Sequence, residues 1–396
     1  MNRCKELYEG LNALAVFRGL LRDPVVAALR ELLEAEGERK AAAYGAFAGE
    51  LYARGTVSLT GYLLTLALED ENVYMLARAE EGAIDPLLEE AVREELKVIE
   101  AAGKLDCETV RAGMNYTGFL PRWKTEETDF TAVYFDRLTR IHEYGYGAFA
   151  KYTTFMIENG ALVPVGHPDA ISLSELGGYQ RERQLVIDNT LALIEGRPAA
   201  NTLLYGDAGT GKSSTVKAVA NAYASRGLRL IEIKKNQLHE IPHLVDQLSK
   251  NPLKFILFID DLSFSKDDDN FAALKAILEG SVSARAANLA VYATSNRRHL
   301  VKEDFSDRQG TDLHISDTIQ ELTSLSDRFG LTITFQKPGK QVYLEIVHDL
   351  ALQNGLTIPA EELDKLAEAF AIGRGGRSPR AAKQFIDSLC AKETME

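Results

Sequence analysis

The sequence predicts an α/β protein in which helices flank a five-stranded parallel sheet. From about residue 170, short apolar runs alternate with stretches of helical periodicity, the pattern of βαβ units. A glycine-rich segment joins the first apolar run to a helical pattern. Helical periodicity also fills residues 1–165 and returns after Pro338 in about three segments. We therefore predict a mostly helical N-terminal domain over 1–165, an α/β domain over 170–337 and a helical lid over 338–396.

The first domain begins helices with the same device twice. Asp23-Pro24 and Asp85-Pro86 each place an aspartate at the cap and a proline in the first turn, and apolar residues follow at helical spacing. The aromatic residues between 134 and 155 could form a base-stacking surface, but few basic residues lie among them, which favours a packing role. Residues 160–169, rich in glycine and proline, are predicted to form a linker. The five predicted strands are 202–205, 228–233, 255–259, 289–293 and 331–335.

The composition is that of a folded, acidic protein. The chain has 396 residues, 45% of them hydrophobic and 26% charged, with a net charge of -13. This charge argues against wholesale coating of nucleic acid. Three widely spaced cysteines without a Cys-x-x-Cys pair suggest reduced thiols in a cytoplasmic protein. The charged N-terminus does not fit a signal peptide, and residues 55–68, the longest uncharged stretch of the first domain, are too short to span a bilayer.

A phosphate-binding loop is predicted where the first strand meets the next helix. The segment GDAGTGKSS fits the pattern G-x-x-x-x-G-K-[ST] in the strand–loop–helix context that the pattern requires. Its glycines allow backbone N–H groups to face phosphate oxygens, and the helix adds its positive N-terminal end. Lys212 is expected to reach the β- and γ-phosphates, and the Ser213 hydroxyl to complete a Mg²⁺ shell. The predicted contacts are Gly206, Asp207, Ala208, Gly209, Thr210, Gly211, Lys212, Ser213 and Ser214.

Two adjacent aspartates end the buried run FILFI at residues 255–259. Neighbouring negative charges oppose folding unless a positive partner compensates them. Asp260 is the expected Mg²⁺ ligand at the end of this strand, so the metal supplies that partner. Asp261 is then placed to act as the general base that orients the attacking water. An exposed turn of two aspartates would explain neither the buried strand nor the phosphate loop.

With both motifs placed, residues 172–390 resemble the AAA+ ATPases. The resemblance implies that Gly178 and Tyr179, within LGGY, belong to the segment whose backbone holds adenine. It also implies that Asn296, at the end of the fourth strand, is the sensor that helps to place water at the γ-phosphate. Arg328, in SDRFG, matches the arginine finger that reaches the neighbouring subunit's nucleotide. Arg380 matches the lid arginine that contacts the γ-phosphate.

Some of these assignments have alternatives. Arg377 is the second choice for the lid arginine. Arg328 could instead form a surface ion pair with Asp327, and Arg380 could be a solvent-exposed residue at a helix start.

The strings DDLSF, LKAILEG, YATSNRRHL and SLSDRFGL are similar to a bacterial ATP-binding AAA+ family of uncharacterised function. Most AAA+ proteins carry glutamate where this chain has Asp261, which is one methylene shorter and implies slow turnover. The closer family is similar at this position, so the site is not interpreted as inactive.

The resemblance implies an ATP- and Mg²⁺-dependent hydrolase that assembles into a ring or open ring of identical subunits. Hydrolysis at subunit interfaces would remodel a partner recruited by the N-terminal domain. A protein client is favoured over nucleic acid, and no membrane is expected. The alternative is a nucleotide-gated binding module with slow or no hydrolysis. A small-molecule kinase is disfavoured, because the arginines, Asn296 and the lid would have no role in it.

Overall fold

A computed structural model describes residues 3–80, 82–112, 114–263, 270, 274–275, 277–278, 286–296 and 328–393. The chain divides into two compact units, Met1–Lys151 and Tyr152–Glu396.

The first unit is helical throughout its described residues. Both predicted helix starts are confirmed. The Asp23 carboxylate accepts hydrogen bonds from two backbone N–H groups of the first turn, at 2.9 and 3.2 Å, and Asp85 accepts one at 2.8 Å. Tyr134, in the aromatic run, is fully buried in the core of this unit, as the packing interpretation predicted. The helices are α1 (Arg3–Asn12), α2 (Pro24–Glu34), α3 (Arg39–Ala53), α4 (Leu59–Glu69), α5 (Val73–Ala79), α6 (Pro86–Gly103), α7 (Cys107–Arg111), α8 (Phe130–Thr139), α9 (Ile141–Tyr144) and α10 (Ala148–Lys151).

The second unit is built on a seven-stranded sheet, counted over the described residues, in the order β2-β1-β4-β5-β6-β3-β7. All neighbouring strands run parallel except β1 and β2. The central strand β5 is buried along five of its six residues, as the apolar run 255–259 predicted. The strands are β1 (Thr154–Glu158), β2 (Ala161–Pro164), β3 (Thr202–Gly206), β4 (Leu228–Glu232), β5 (Lys254–Ile259), β6 (Leu289–Ser295) and β7 (Leu331–Phe335).

Helices pack on this sheet and follow it. Val186 of α11 and Val216 and Val219 of α12 join the sheet residues in one buried core. The helices after β7, in the region predicted to form the lid, have a separate small core of their own. These helices are α11 (Gln180–Ile194), α12 (Lys212–Tyr223), α13 (Ile241–Leu248), α14 (Lys340–Gln353), α15 (Ala360–Gly373) and α16 (Pro379–Glu393).

The α/β fold class is confirmed, and all five predicted strands are present. The sheet has two further strands. One is β1, over residues 154–158, and the other is β2, over residues 161–164, where a linker was predicted. β1 and β2 make an antiparallel hairpin through Asn159 and Gly160, whose φ angles are +51° and +76°. Asn-Gly between apolar runs is a strong hairpin signal, since both residues tolerate positive φ. The hairpin also puts the boundary between the two units at Lys151, earlier than the predicted 165.

Candidate functional site

The phosphate-loop segment lies at the carboxyl edge of the sheet, between β3 and α12. At Gly206, φ is +137° and a Cβ atom would lie 2.0 Å from the carbonyl oxygen of Phe335, so only glycine fits. Gly209 and Gly211 also have positive φ, +78° and +90°. This backbone path and the start of α12 can present N–H groups to an anion. Residues 208–214 all line one cavity of about 740 Å³.

Lys212 is almost fully buried and is held by three oxygen atoms. Its Nζ donates to the carbonyl oxygens of Gly206 and Asp207 at 2.9 and 2.7 Å, and to Oδ1 of Asn296 at 3.0 Å. Burial lowers the pKa of the Lys212 ammonium, while the charge of Asp207, followed by those of Asp261 and Asp260, acts in the opposite direction. The ammonium is therefore fixed at the cavity wall by neutral oxygens.

The two adjacent aspartates have different environments. Asp260 Oδ1 accepts hydrogen bonds from the hydroxyls of Ser213, at 2.6 Å, and Thr294. Asp261 has φ of +51°, uncommon for a residue with a side chain, and its N–H donates to Thr294 Oγ1 at 2.9 Å. This turn directs the second carboxylate towards β6, where Asn296 Nδ2 donates to Asp261 Oδ1 at 2.8 Å.

Asn296 joins the positive and negative sides of this site through one amide. Its oxygen accepts from Lys212 and its nitrogen donates to Asp261. The hydrogen bonds on both sides fix which way the amide points, because a flipped amide would face a donor with a donor. The structure thus brings together Lys212, Ser213, Asp260, Asp261 and Asn296.

The donor chemistry fits a magnesium ion that shares its shell with phosphate. Ser213 and Asp260 offer hard oxygen ligands, and Mg²⁺ is usually held by one or two carboxylates together with phosphates and water. Within the described residues, no group of three or more His, Cys, Asp or Glu side chains is arranged to hold a metal. Protein carboxylates alone therefore do not make a metal cage here.

The far end of the cavity is formed by the segment before α11 and by the lid. Tyr179 lines the cavity, packs against Phe335 with ring centroids 5.3 Å apart, and donates its hydroxyl to the carbonyl of Gln336. Burial raises the pKa of Tyr179 to about 12. Gly178 has φ of +68°, and a Cβ there would lie 2.9 Å from Ile346 Cδ1 of α14. Gly178 thus lies where the backbone approaches α14 closely but is not among the described residues that line the cavity, whereas Tyr179 lines it.

The two candidate lid arginines differ in position. Arg380 lines the cavity, and its backbone N–H donates to the carbonyl of Gly209 at 3.2 Å. Arg377 makes a two-pronged ion pair with Glu368, at 2.8 and 2.6 Å, and is not among the described residues that line the cavity. This geometry favours Arg380 over Arg377 for contact with a ligand.

Arg328 lies apart from the other predicted site residues. It precedes β7, whose Leu331 pairs with Thr202 at the start of β3, while Gly206 stands at the other end of β3. Four residues of parallel strand cover about 13 Å. Arg328 is half-buried at the amino edge of the sheet, the edge opposite the phosphate loop.

A family model described as "Protein of unknown function (DUF815)" matches residues 148–393. The chain belongs to this DUF815 family. The match covers the sheet with its β1–β2 hairpin, the phosphate-loop segment and the lid. The predicted relationship to the AAA+ P-loop ATPases, in a family of uncharacterised function, is confirmed.

Other similarities of the DUF815 chain are more distant. It is 33% identical over 115 residues to the 26S proteasome regulatory subunit 6B homolog of Schizosaccharomyces pombe, a match of 26% of this chain and 29% of that protein. Two RuvB variants of Thermotoga maritima, in solved structures, are 15% identical to it, with TM-scores of 0.36 and 0.37. Each of these matches covers 55% of this chain and 63% of the RuvB chain.

The DUF815 site also contains residues that the sequence analysis did not assign. Thr294 contacts both aspartates. Its place in the string ATSN, at the carboxyl end of β6, could have identified it as a site residue. The Asp207 carboxylate accepts from the backbone N–H of Lys337 at 2.9 Å, a contact between distant segments that no motif predicts. Arg183 and Lys383 also line the cavity. No helix in the described part of the chain is both long and apolar enough to cross a membrane.

Proposed function

We propose that this protein is a Mg²⁺-dependent ATP hydrolase that acts at the interfaces of a homo-oligomer. The observation that carries the proposal is the hydrogen-bonded set of Lys212, Ser213, Asp260, Asp261 and Asn296 at one wall of the cavity. It combines a cation for phosphate, two oxygen ligands for a metal and a carboxylate held beside a polar amide. The relationship to AAA+ ATPases supports the same chemistry.

In this proposal ATP lies in the cavity with its phosphates at residues 206–214 and its base near Gly178 and Tyr179. Lys212 matches the charge of the β- and γ-phosphates as a point cation. Arg380, on the lid side of the same cavity, adds positive charge near the γ-phosphate. Ser213 and Asp260 would hold Mg²⁺, which supplies charge neutralisation on the phosphate oxygens.

The water-activating role falls to Asp261. Its carboxylate would accept a proton from the attacking water, and Asn296 would orient both through its amide. The hydrogen bond from Asn296 keeps the carboxylate in one rotamer, which partly offsets the shorter reach of aspartate. Arg328 would stabilise the transition-state charge on the neighbouring subunit's γ-phosphate.

The proposed output is the remodelling of a protein partner recruited by the helical first unit, in the cytoplasm. The acidity of that unit supports a protein client over nucleic acid, since residues 1–165 hold 18 lysines and arginines against 27 acids. Steady-state turnover by a ring or open ring would couple each hydrolysis event to movement of the lid.

A second candidate function is a nucleotide-gated binding module, and the geometry of Asp261 favours it. A left-handed backbone with a short carboxylate already engaged by Asn296 leaves limited freedom to hold a water. In that case ATP would order the lid and hydrolysis would be slow. The two functions differ in turnover and share the same binding site.

The test compares Mg²⁺-ATP turnover and ATP affinity in the wild type and in Asp261→Asn. An ATP hydrolase should lose turnover by about 10²-fold or more in Asp261→Asn and retain ATP affinity, because the change removes only the base. Asp188→Asn, at an exposed aspartate of α11, is the matched control and should leave both quantities unchanged. Tight binding with negligible wild-type turnover would favour the gated module. Equal turnover in wild type and Asp261→Asn would contradict the assigned base.

A further inference from the structure

The first unit contains a second cavity, and arginines dominate its wall. It measures about 400 Å³ and is lined by Asn12, Arg18, Gly19, Leu21, Arg22 and Arg30. Ligand pockets in proteins usually measure about 300–1,000 Å³. The lining has three guanidinium groups and no acidic side chain among its described residues.

No described carboxylate pairs with these three arginines, although the unit as a whole is acidic. Residues 1–151 hold 26 acidic residues against 18 basic ones, and four arginines elsewhere in the unit are paired with carboxylates, as Arg93 is with Glu89 at 2.7 Å. Among the described residues, by contrast, no carboxylate lies within ion-pair distance of Arg18, Arg22 or Arg30. Like charges gathered without a counter-ion cost folding free energy, so the cluster calls for an external anion.

Neutral oxygens hold two of the arginines in place. Nε and Nη2 of Arg30 both donate to Asn12 Oδ1, the first at 2.9 Å, and Asn12 in turn donates to the carbonyl of Tyr8 at 3.0 Å. Nη1 of Arg18 donates to the carbonyl of Leu14 at 3.2 Å. A guanidinium has five N–H donors, so both groups retain donors for a ligand. The side chains are thus oriented in advance without being neutralised.

An acid beside the cavity wall does not compensate these charges. Asp70 lies behind Gly19, where a Cβ would come 2.9 Å from Asp70 Oδ1, and it accepts a hydrogen bond from Asn72 at 3.0 Å. Burial raises the pKa of the Asp70 carboxyl, so its negative charge is disfavoured at this place.

We propose that this cavity binds a compact phosphate-type dianion, either a small phosphate ester or a phosphorylated side chain of a partner. Guanidinium forks match the oxygen geometry of phosphate and bind it through paired hydrogen bonds. The excess of acids over the whole unit repels an extended polyanion such as nucleic acid, while a single phosphate can enter a local positive site. The arginines that line this site belong to the first unit, whereas the residues that line the proposed nucleotide cavity belong to the second.

The test uses the full chain carrying Lys212→Ala, which weakens phosphate binding at the loop after β3. Inorganic phosphate is titrated by calorimetry, and phenylglyoxal labelling with peptide mass spectrometry then maps the arginines that it protects. We expect phosphate to slow the labelling of Arg18, Arg22 and Arg30 and to leave Arg54, an exposed arginine of the same unit, unaffected. Absence of protection at the three arginines would overturn the proposal.

Substitutions then test the energetics. Arg22 is exposed and its side chain makes no hydrogen bond or ion pair with the described residues, so Arg22→Ala mainly removes charge. It should weaken phosphate binding by about tenfold or more, as the loss of a charge-assisted hydrogen bond does. Arg54→Ala is the matched control and should bind as tightly as its parent. Equal affinity in Arg22→Ala and Arg54→Ala would overturn the proposal even if the half-buried Arg30→Ala variant fails to fold.

Two probes separate the possible sources of the anion. N-acetyl-phosphoserine amide represents a phosphorylated side chain, and glycerol 3-phosphate represents a small ester. Tighter binding of the first supports a modified partner, and tighter binding of the second supports a free metabolite. Binding of neither, with wild-type folding retained, contradicts the site.

Discussion

Substitution of Arg328 by alanine gives the sharpest test of catalysis between subunits. Leu331 pairs with Thr202, so Arg328 lies beyond the amino end of β7. Gly206 is at the other end of β3, a strand that spans roughly 13 Å. A guanidinium at the amino edge is poorly placed for a nucleotide bound by its own chain. Comparable arginine fingers accelerate nucleotide hydrolysis about 10³–10⁵-fold. Each tenfold change corresponds to about 1.4 kcal/mol, so the transition state would lose about 4–7 kcal/mol of stabilisation.

The assay is steady-state ATP turnover per subunit over a range of protein concentrations. Wild-type activity per subunit should rise until assembly saturates. Arg328→Ala should bind ATP nearly normally and hydrolyse it poorly, whereas Arg197→Ala, at an exposed arginine paired with Glu195, should behave as wild type. A mixture of Arg328→Ala with Lys212→Ala should regain activity, because a mixed interface joins an intact phosphate site to an intact arginine.

Arg328 does not act between subunits if the two variants co-assemble, as shown by native mass spectrometry, and no activity returns. Wild-type activity that is independent of concentration would point the same way. Arg328 would then act within its own chain or only in folding.

Three further predictions concern the loop after β3 and the aspartate that follows β5. Lys212→Ala should weaken ATP binding by about 10–100-fold in a fluorescent-ATP titration, because a charge-assisted hydrogen bond to phosphate is lost; unchanged affinity would exclude this loop as the site. Asp260→Ala should remove the increase in ATP affinity that Mg²⁺ produces and leave affinity in EDTA unaltered, so a loss seen equally in EDTA would point to misfolding. Gly206→Ala should lower the free energy of unfolding by about 2 kcal/mol or more in urea denaturation, because its Cβ would overlap the Phe335 carbonyl; a neutral effect would mean that β7 shifts to accommodate it.

The sequence predicts most of the second unit, because its signals are local. Buried runs such as 255–259 form strands, and the glycine-rich segment lies between β3 and α12 as its spacing requires. The Asn159-Gly160 pair is also a local signal for a hairpin, but the sequence analysis assigned the glycine and proline residues after it to a linker. Contacts between segments that are distant in the sequence cannot be predicted in this way. The bond from Lys337 N–H to Asp207 depends on how β7 lies beside β3, which no local pattern encodes.

The arginine cavity, too, is only partly predictable from the sequence. Arg18 and Arg22 are the first and last residues of one five-residue 3₁₀ helix, so the sequence alone keeps them within the same short segment. Arg30 joins them only because α1 and α2 pack together and Asn12 reaches across to its guanidinium. That no described carboxylate forms an ion pair with the three arginines depends on the folded arrangement of the acids. A count of charges therefore predicts an acidic unit and misses its local positive site.

Two hydrogen bonds tether residues 336 and 337, which lie between β7 and the helix α14. Tyr179 holds the carbonyl of Gln336, and Asp207 holds the N–H of Lys337, so this segment moves with the sheet. The helix α14 begins at Lys340, so we expect Pro338 and Gly339 to act as a hinge, and a side chain at Gly339 would meet nothing within 4 Å. We expect Gly339→Ala to fold normally and to slow lid closure, measured as the rate of fluorescence change after ATP mixing. An unchanged rate would place the pivot elsewhere. If this segment is the hinge, ATP binding at the loop after β3 would be coupled to the lid through the hydrogen bond from Lys337 to Asp207 and through Pro338 and Gly339.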